Sequence, residues 1–228
     1  TSTATTRESN VAQISSRDAT VSGSQDASDP AGKKQELAHQ MALMSKALKR
    51  DMEVALCQNT AKNAGNATTA RQTRSFEAWI TTNKSRGTGG ADGSASAAAT
   101  DAATGNRRAL TEALLKGVLQ SMFTNGAEPK MAIAGPVNKG VISGFTGRAN
   151  TRQNVSADTV SASISVYASD FGELQIVPSN RSRDRSLLLV DPEYAKVAYL
   201  RNFQTMDIAK IGDADTKMIL AEYGLEMS

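Results

Sequence analysis

The 228-residue chain carries 26 basic and 23 acidic residues, a formal net charge of +3, and only 4% of its residues are aromatic. A charge so close to balance gives no overall electrostatic case for nucleic-acid binding, and no run approaches the roughly 20 apolar residues of a membrane-spanning helix. Because aromatic rings supply much of the buried area in ordinary cores, their scarcity predicts a subunit that gains part of its burial from neighbouring copies.

The first segment, residues 1–30, is rich in Ser, Thr and Asp. Its large aliphatic residues are Val11, Ile14 and Val21. Such a composition does not offset the entropy cost of ordering the chain by itself. Two short extended pieces are predicted, at residues 11–15 and 19–22. The segment is interpreted either as a disordered tail or as an arm that orders against a partner.

The clearest predicted element is a helix over residues 33–62. Apolar residues recur there at steps of three and four, which places them on one helical face. They are Leu37, Met41, Met44, Leu48, Met52 and Ala55. At about 1.5 Å per residue such a helix spans roughly 40 Å, which suits a rod on which other elements pack.

The middle of the chain combines a short apolar segment, a polar stretch and a second helix. Residues 74–80 contain the only tryptophan, Trp79. Residues 85–105 consist largely of Gly, Ala, Ser, Thr and Asp, which is typical of a flexible loop or linker. A well-buried helix is predicted at residues 111–125, and Gly126 supplies the left-handed position after its end.

The last part of the chain is predicted to be mainly strand. Residues 160–166 alternate between apolar side chains and Ser, the period of a half-buried strand. The final strand places Ile219, Ala221, Tyr223, Leu225 and Met227 on one face, with Glu222 and Glu226 on the other. Further strands are predicted at residues 131–134, 174–177, 187–190 and 194–200, with a brief helix at residues 138–145. Helices followed by strands indicate an α+β fold.

The residues that could carry chemistry form no recognisable site. The only histidine, His39, and the only cysteine, Cys57, lie on the same predicted helix, roughly 27 Å apart. That separation excludes a Cys–His dyad, and a single cysteine excludes an internal disulfide and multi-cysteine metal sites. The glycines at 87–90 lack the Lys-Ser/Thr ending of a phosphate loop. The late carboxylates follow no metal-ligand spacing: Asp191, Glu193, Asp207, Asp213 and Asp215. We therefore predict no catalytic, cofactor-binding or metal residues, and no enzyme activity.

Two interpretations are open for the densest basic positions. These are Arg148, Arg152, Arg181, Arg183 and Arg185. In the first, they form a phosphate-facing patch, because the guanidinium fork suits phosphate oxygens. In the second, they belong to solvated loops and pair with Asp184 and Asp191 or with a neighbouring subunit. We favour the second.

A series of short segments covers nearly the whole chain in a specific order and spacing. In the first half they are Asn10-Val11-Ala12-Gln13-Ile14, Val21-Ser22-Gly23-Ser24-Gln25, Glu36-Leu37-Ala38-His39-Gln40, Leu48-Lys49-Arg50-Asp51-Met52-Glu53 and Phe76-Glu77-Ala78-Trp79-Ile80. In the second half they are residues 110–123, Gly126-Ala127-Glu128-Pro129, Gly135-Pro136, Leu188-Leu189-Val190-Asp191-Pro192, Leu200-Arg201, Gly212-Asp213 and Ala221-Glu222-Tyr223-Gly224-Leu225-Glu226. No single segment is diagnostic. Together they resemble the major head proteins of tailed bacteriophages.

This resemblance implies the Hong Kong ninety-seven fold, with a long spine helix, a peripheral domain and an axial domain. The implied boundaries are an extended-loop segment at 1–30, a peripheral domain at 31–108, an axial domain at 109–208 and a return strand at 209–228. Family members usually carry an N-terminal arm before the extended loop and continue past the last strand. Both pieces are expected to be missing here, and the chain begins at Thr1 rather than Met.

The function implied by the resemblance is that of a major capsid protein. Its copies would assemble, in the host cytoplasm, into pentamers and hexamers of an icosahedral head around double-stranded DNA. The implied partners are further copies, scaffolding, portal and decoration proteins and the packaged DNA, with no membrane. Some relatives cross-link through Lys and Asn, but no such pair is predicted here. Two alternatives stay open: a cellular compartment shell of the same fold, and a nucleic-acid-binding module that uses the arginine clusters.

Overall fold

A computed structural model describes residues 8–28, 35–145 and 165–227 of the chain. The helices are α1 (Gly23–Ala27), α2 (Glu36–Cys57), α3 (Phe76–Trp79), α4 (Glu112–Thr124) and α5 (Pro136–Ser143). The strands are β1 (Gln13–Ser22), β2 (Met131–Ala134), β3 (Val166–Ser169), β4 (Gly172–Pro178), β5 (Leu187–Val190), β6 (Ala195–Ile211) and β7 (Ala214–Met227). This mixture of helices and strands confirms the α+β class.

The first sheet is antiparallel, with the strand order β1-β7-β6, and α2 packs against it. The alternating apolar residues predicted for β7 face α2 and form one hydrophobic core with it. The buried members of this first core are Leu48, Met52, Leu56, Ile219, Ala221, Tyr223 and Leu225. The apolar stripe of α2 and the apolar face of β7, each predicted from the sequence, therefore pack against each other in one core.

The second sheet has the strand order β3-β4-β2-β5, in which β2 is parallel to β4 and antiparallel to β5. Helices α4 and α5 supply apolar side chains to a second core with this sheet. Its buried members are Leu115, Leu119, Ala132, Ala134, Ile142, Tyr167, Leu174 and Ile176. The two cores have no buried residue in common within the described ranges, so the chain forms two separately packed units.

Helix α2 is shorter than the helix predicted at residues 33–62. It begins at Glu36 and ends at Cys57, which gives a length of about 33 Å, and residues 33–34 lie outside the described residues. The early end of α2, at Cys57, is explained by hydrogen bonds that the chain makes just beyond it. Thr60 exchanges hydrogen bonds with Ser75, through Thr60 N–H to Ser75 Oγ at 2.8 Å and Ser75 N–H to the Thr60 carbonyl at 3.1 Å. Pairing with this distant segment replaces the helical bonds that residues 58–62 would otherwise make.

Several strand predictions also change. The two extended pieces near the N-terminus are one strand, β1, which orders against β7 of the same chain. The strand predicted at residues 194–200 continues to Ile211, because its pairing with β7 persists through two irregularities near Arg201. Such bulges break the period-two pattern that marks a strand in sequence. Residues 160–164 of another predicted strand lie outside the described residues.

Helix boundaries in the second unit follow from local chemistry. Helix α4 matches its prediction, with Thr111 as the N-cap, since the Thr111 hydroxyl accepts the Leu114 N–H at 3.3 Å. Gly126 after its end has φ +80°. Helix α5 begins at Pro136, two residues before the prediction, because proline at the first helical position already has a helical φ and lacks only an N–H that would be unpaired there.

The glycine-rich segment at residues 85–105 is irregular but it is not a linker. Ala91 and Thr100 form an antiparallel bridge, and Gly93 and Ala99 are buried. The Asn59 side chain binds both backbone groups of Ala99, with its Nδ2 donating to the carbonyl at 2.5 Å and its Oδ1 accepting the N–H at 2.9 Å. The linker prediction was therefore wrong, because small residues here permit close backbone packing rather than flexibility.

Candidate functional site

The only histidine and the only cysteine lie on α2, as predicted. His39 is exposed in the second turn, whereas Cys57 is buried at the last helical position. Burial, with a smaller contribution from the negative charge of Glu53, raises the pKa of the Cys57 thiol to about 11. Such a thiol stays protonated at neutral pH and is a poor nucleophile. Because α2 is continuous, His39 is too far away to activate it.

Three of the five late carboxylates for which metal binding was considered form ion pairs, among them Glu193, which pairs with Lys130 at 3.9 Å. Asp207 pairs with Lys217 at 3.0 Å, and Asp215 pairs with Lys210 at 2.7 Å. In the described ranges no three His, Cys, Asp or Glu side chains are grouped so that they could hold a metal ion. Among the described helices, none is long and apolar enough to cross a membrane. The absence of catalytic, cofactor and metal residues stays a prediction.

Two of the arginines in the second-half basic cluster form ion pairs across the molecule. Arg183 donates to Glu77 at 2.5 Å and to Asp101 at 2.6 Å, and Arg185 donates to Asp101 at 3.2 Å. The ion-paired interpretation was therefore correct for these two, but the predicted partners, Asp184 and Asp191, were wrong. The actual partners are more than 80 positions away in sequence, so local reasoning had no access to them. Arg148 and Arg152 lie outside the described residues.

The carboxylates that bind Arg183 form the Glu77 cluster, which we define as Glu77, Asp101, Arg183, Arg185 and Ser186. Ser186 Oγ donates to Glu77 at 2.9 Å, and the Glu77 side chain is only 9% exposed. Burial raises the pKa of Asp101, but hydrogen bonds and charges from Arg183 and Arg185 outweigh it and hold that pKa below its ordinary value. The Asp101 carboxylate therefore remains charged at neutral pH, and Arg183 bridges it to Glu77.

Strand β6 presents a surface that is suited to contact with another molecule. Its inner side pairs with β7, and its outer side has no strand partner within the described residues. Five large apolar side chains are exposed along it: Val197, Tyr199, Leu200, Met206 and Ile208. An edge strand of this length that also exposes apolar residues is a ready template for association. We name these five residues the β6 surface.

The β6 surface was indicated only indirectly by the sequence. The strand prediction stopped at residue 200, so two of the five residues of the surface, Met206 and Ile208, were not assigned to any element. The low aromatic content did predict burial borrowed from neighbouring copies. The exposed apolar side chains of β6, a strand with one open edge among the described residues, are consistent with that expectation. The signal that could have extended the strand is the alternation of Gln204, Met206 and Ile208 with their neighbours beyond the irregularities.

The chain is similar to known proteins in sequence and in structure. A model of the SU10 major capsid protein family matches residues 1–228. The capsid structure of the cyanophage P-SCSP1u aligns with a TM-score of 0.53 at 10% identity, covering 95% of this chain and 70% of that chain. The mature capsid of bacteriophage PhiM1 aligns with a TM-score of 0.48 at 14% identity, covering 95% of this chain and 68% of that one. Among curated proteins, none matches the chain.

Proposed function

Because the chain belongs to the SU10 major capsid protein family, and is thus a structural subunit of a phage capsid, we propose that its copies form the pentamers and hexamers of an icosahedral head enclosing double-stranded DNA. The observation that carries this proposal is the family match over the whole chain. The β6 surface supports it independently, since an open, apolar strand edge suits contact with a second copy. Closed shells need such repeated contacts between identical chains.

The proposed architecture is the Hong Kong ninety-seven fold. In this proposal α2 is the spine helix, the first sheet belongs to the peripheral domain and the second sheet to the axial domain. The boundary proposed at residue 208 falls inside β6. Since β6 pairs along its length with β7, we assign all of β6 to the peripheral domain, and the axial domain then ends before Ala195.

The proposed partners follow from the same role. The subunit would assemble in the host cytoplasm with scaffolding and portal proteins, accept decoration proteins on the finished shell, and contact the packaged DNA from inside. The near-neutral charge of +3 supports weak DNA contact rather than tight binding by the free subunit.

Electron microscopy of the complete protein tests this proposal. The protein is produced alone and together with the other head proteins of its phage, and the products are imaged and their contents extracted. We expect closed shells of uniform size that hold double-stranded DNA when the packaging proteins are present. Shells that hold an enzyme instead would favour a cellular compartment, and a strictly monomeric product with all partners present would contradict the shell role.

We expect Leu200→Asp to reduce the yield of assembled particles at least about tenfold. Leu200 is the most exposed residue of the β6 surface, at 70%, so a charge there costs the free subunit less than about 0.5 kcal/mol. In a contact with a second copy the same charge would be buried without a partner, at a cost of several kcal/mol. Particle yield is measured by sedimentation, and subunit stability by thermal unfolding.

Leu43→Asp is the matched control for this change. Leu43 is an exposed leucine of α2 and is not part of β6. We expect this variant to assemble like the original chain. Normal assembly of Leu200→Asp would show that the β6 surface is not a contact between copies.

A further inference from the structure

The two hydrophobic cores are connected through a polar segment. Residues 179–186 follow β4, the last strand of the second sheet before β5, and run between the two units. On the side of the second core, Asn138 Nδ2 donates to the carbonyls of Asp184 at 3.1 Å and Ser186 at 3.0 Å. A Cβ on Gly135 would lie 2.8 Å from Asp184 Oδ1, so the segment packs closely on the start of α5. We name residues 179–186 the joint.

On the side of the first core, the joint is held by hydrogen bonds to the end of α2. Ser179 Oγ donates to Glu53 at 2.5 Å. Gln58 Nε2 donates to the Arg181 carbonyl at 3.3 Å. Each contact joins a side chain of one unit to a polar group of the other. The joint is therefore held to the first unit by these directional hydrogen bonds rather than by buried apolar area.

The Glu77 cluster adds ion pairs to these connections. Arg183 lies between Glu77 on α3 and Asp101 on the packed glycine-rich segment, and its side chain is 16% exposed. Charge-assisted hydrogen bonds of this kind are about twice as strong as neutral ones. One guanidinium therefore fixes the second unit to two separate segments of the first unit.

The joint also contains polar atoms that are buried without a hydrogen-bond partner, Arg181 Nε and Ser182 Oγ. Native proteins satisfy most buried polar atoms, so the observed arrangement does not use all the bonding capacity of the joint. A polar connection of this type allows two units to be repositioned at low cost, whereas a shared apolar core would resist it. Arg183 is the residue of the joint that forms ion pairs with two segments of the first unit.

We propose that residues 179–186 are an adjustable polar joint, and that Arg183 is the positioning residue that sets the angle between the two cores and hence the curvature of the shell. This inference rests on the proposed shell function. Pentamers and hexamers require one chain to adopt slightly different shapes. If Arg183 makes the main directional contact of the joint, the two cores have one preferred angle between them. They can deviate from that angle only over a limited range.

The first test compares the diameters of particles formed by the complete protein with its head partners. We expect Arg183→Met to widen the distribution of particle diameters at least about twofold, with open or irregular shells among the products. Arg17→Met is the matched control, since Arg17 also pairs with an aspartate, Asp51 at 2.7 Å, but lies outside the joint and the Glu77 cluster and is 46% exposed, and we expect unchanged diameters. Leu48→Val, which weakens the first core without touching the joint, separates a change of angle from a simple loss of stability.

The second test uses the free subunit and does not depend on shell formation. Hydrogen exchange of the Arg181, Ser182 and Ser186 amides is measured in the original chain, in Arg183→Met and in Arg183→Lys. We expect about tenfold faster exchange in Arg183→Met, a local opening confined to the joint. Arg183→Lys should recover only part of the protection, because an ammonium does not provide the planar fork that bridges two carboxylates.

These measurements separate failure of the joint from failure of the shell role. If the original chain forms no shells, the proposed function fails, and the exchange rates still test the joint. Unchanged exchange in both Arg183 variants, or diameters equal to those of the original chain in folded Arg183→Met or Arg183→Lys, would overturn the inference. A widening of equal size in Leu48→Val would also overturn it, since general instability would then account for the effect.

Discussion

Gly93→Ala is expected to lower the free energy of unfolding by about 3 kcal/mol, at the upper end of the usual cost of overpacking. A Cβ at this position would lie 2.6 Å from the Ala78 carbonyl oxygen and 2.7 Å from Ala78 Cα. These are backbone atoms of α3, so no side-chain rotation relieves the clash. The Ala78 carbonyl also accepts both Arg74 Nε at 3.2 Å and Arg74 Nη2 at 2.8 Å, and α3 loses these bonds if it shifts.

The same substitution at Gly117 is expected to have the opposite sign. Gly117 lies in the interior of α4 with no atom within 4 Å of the added Cβ. Alanine there should stabilise the subunit by about 0.5–1 kcal/mol, since glycine loses more backbone entropy on folding. Thermal and urea unfolding of both variants check the pair. If Gly93→Ala were as stable as the original chain, the glycine-rich segment would be loosely attached rather than packed on α3.

The buried faces of helices and strands were predictable wherever apolar residues repeat at short, regular spacings in the sequence. The alternation from Ile219 to Met227 and the helical stripe through Leu48 and Met52 each identify a face, and both faces meet in the first core. Helix α4 was predicted to within one residue at each end because its caps are encoded nearby, by Thr111 and Gly126. Signals of this kind depend only on residues a few positions apart.

The predictions that failed depend on partners far away in sequence. Helix α2 ends early because Thr60 pairs with Ser75, and β6 extends because β7 supplies hydrogen bonds past two bulges. The glycine-rich segment was read as a linker because composition does not show what lies beside a glycine. Its packing on Ala78 became visible only in three dimensions.

The sequence predicted that the chain assembles with copies of itself, but it did not identify the residues that form the candidate site. The scarcity of aromatic residues predicted an assembling subunit, yet the sequence did not indicate which strand would remain open. Arg183 was singled out as part of a basic cluster, with ion pairing as the favoured interpretation. Its partners, Glu77 and Asp101, and its role between the two cores depend on the fold.

Arg74→Met is expected to lower the free energy of unfolding by about 2–4 kcal/mol. Arg74 was not singled out as a candidate residue from the sequence. Its side chain is 2% exposed, and its guanidinium carbon lies 4.1 Å from the centre of the Trp79 ring. Methionine retains most of the length but removes both donors to the Ala78 carbonyl, and hydrogen bonds from charged donors contribute about 1.5–3 kcal/mol each. The cation–π contact adds up to about 2 kcal/mol, and relief from burying the charge offsets part of this total.

Glu8→Gln tests how much the ion pair between Arg74 and Glu8 contributes to the free energy of unfolding. Glu8 accepts from Arg74 Nη1 at 2.5 Å but is 56% exposed, so loss of its charge should cost less than about 1 kcal/mol. Urea unfolding of both variants at low and high salt makes the comparison. If Arg74 acted mainly through Glu8, the two variants would lose similar stability, and salt would abolish the difference from the original chain. We expect instead a large, salt-insensitive loss in Arg74→Met alone, because Arg74 organises α3 from within: it fixes the Ala78 carbonyl on which Gly93 packs and covers the ring of Trp79.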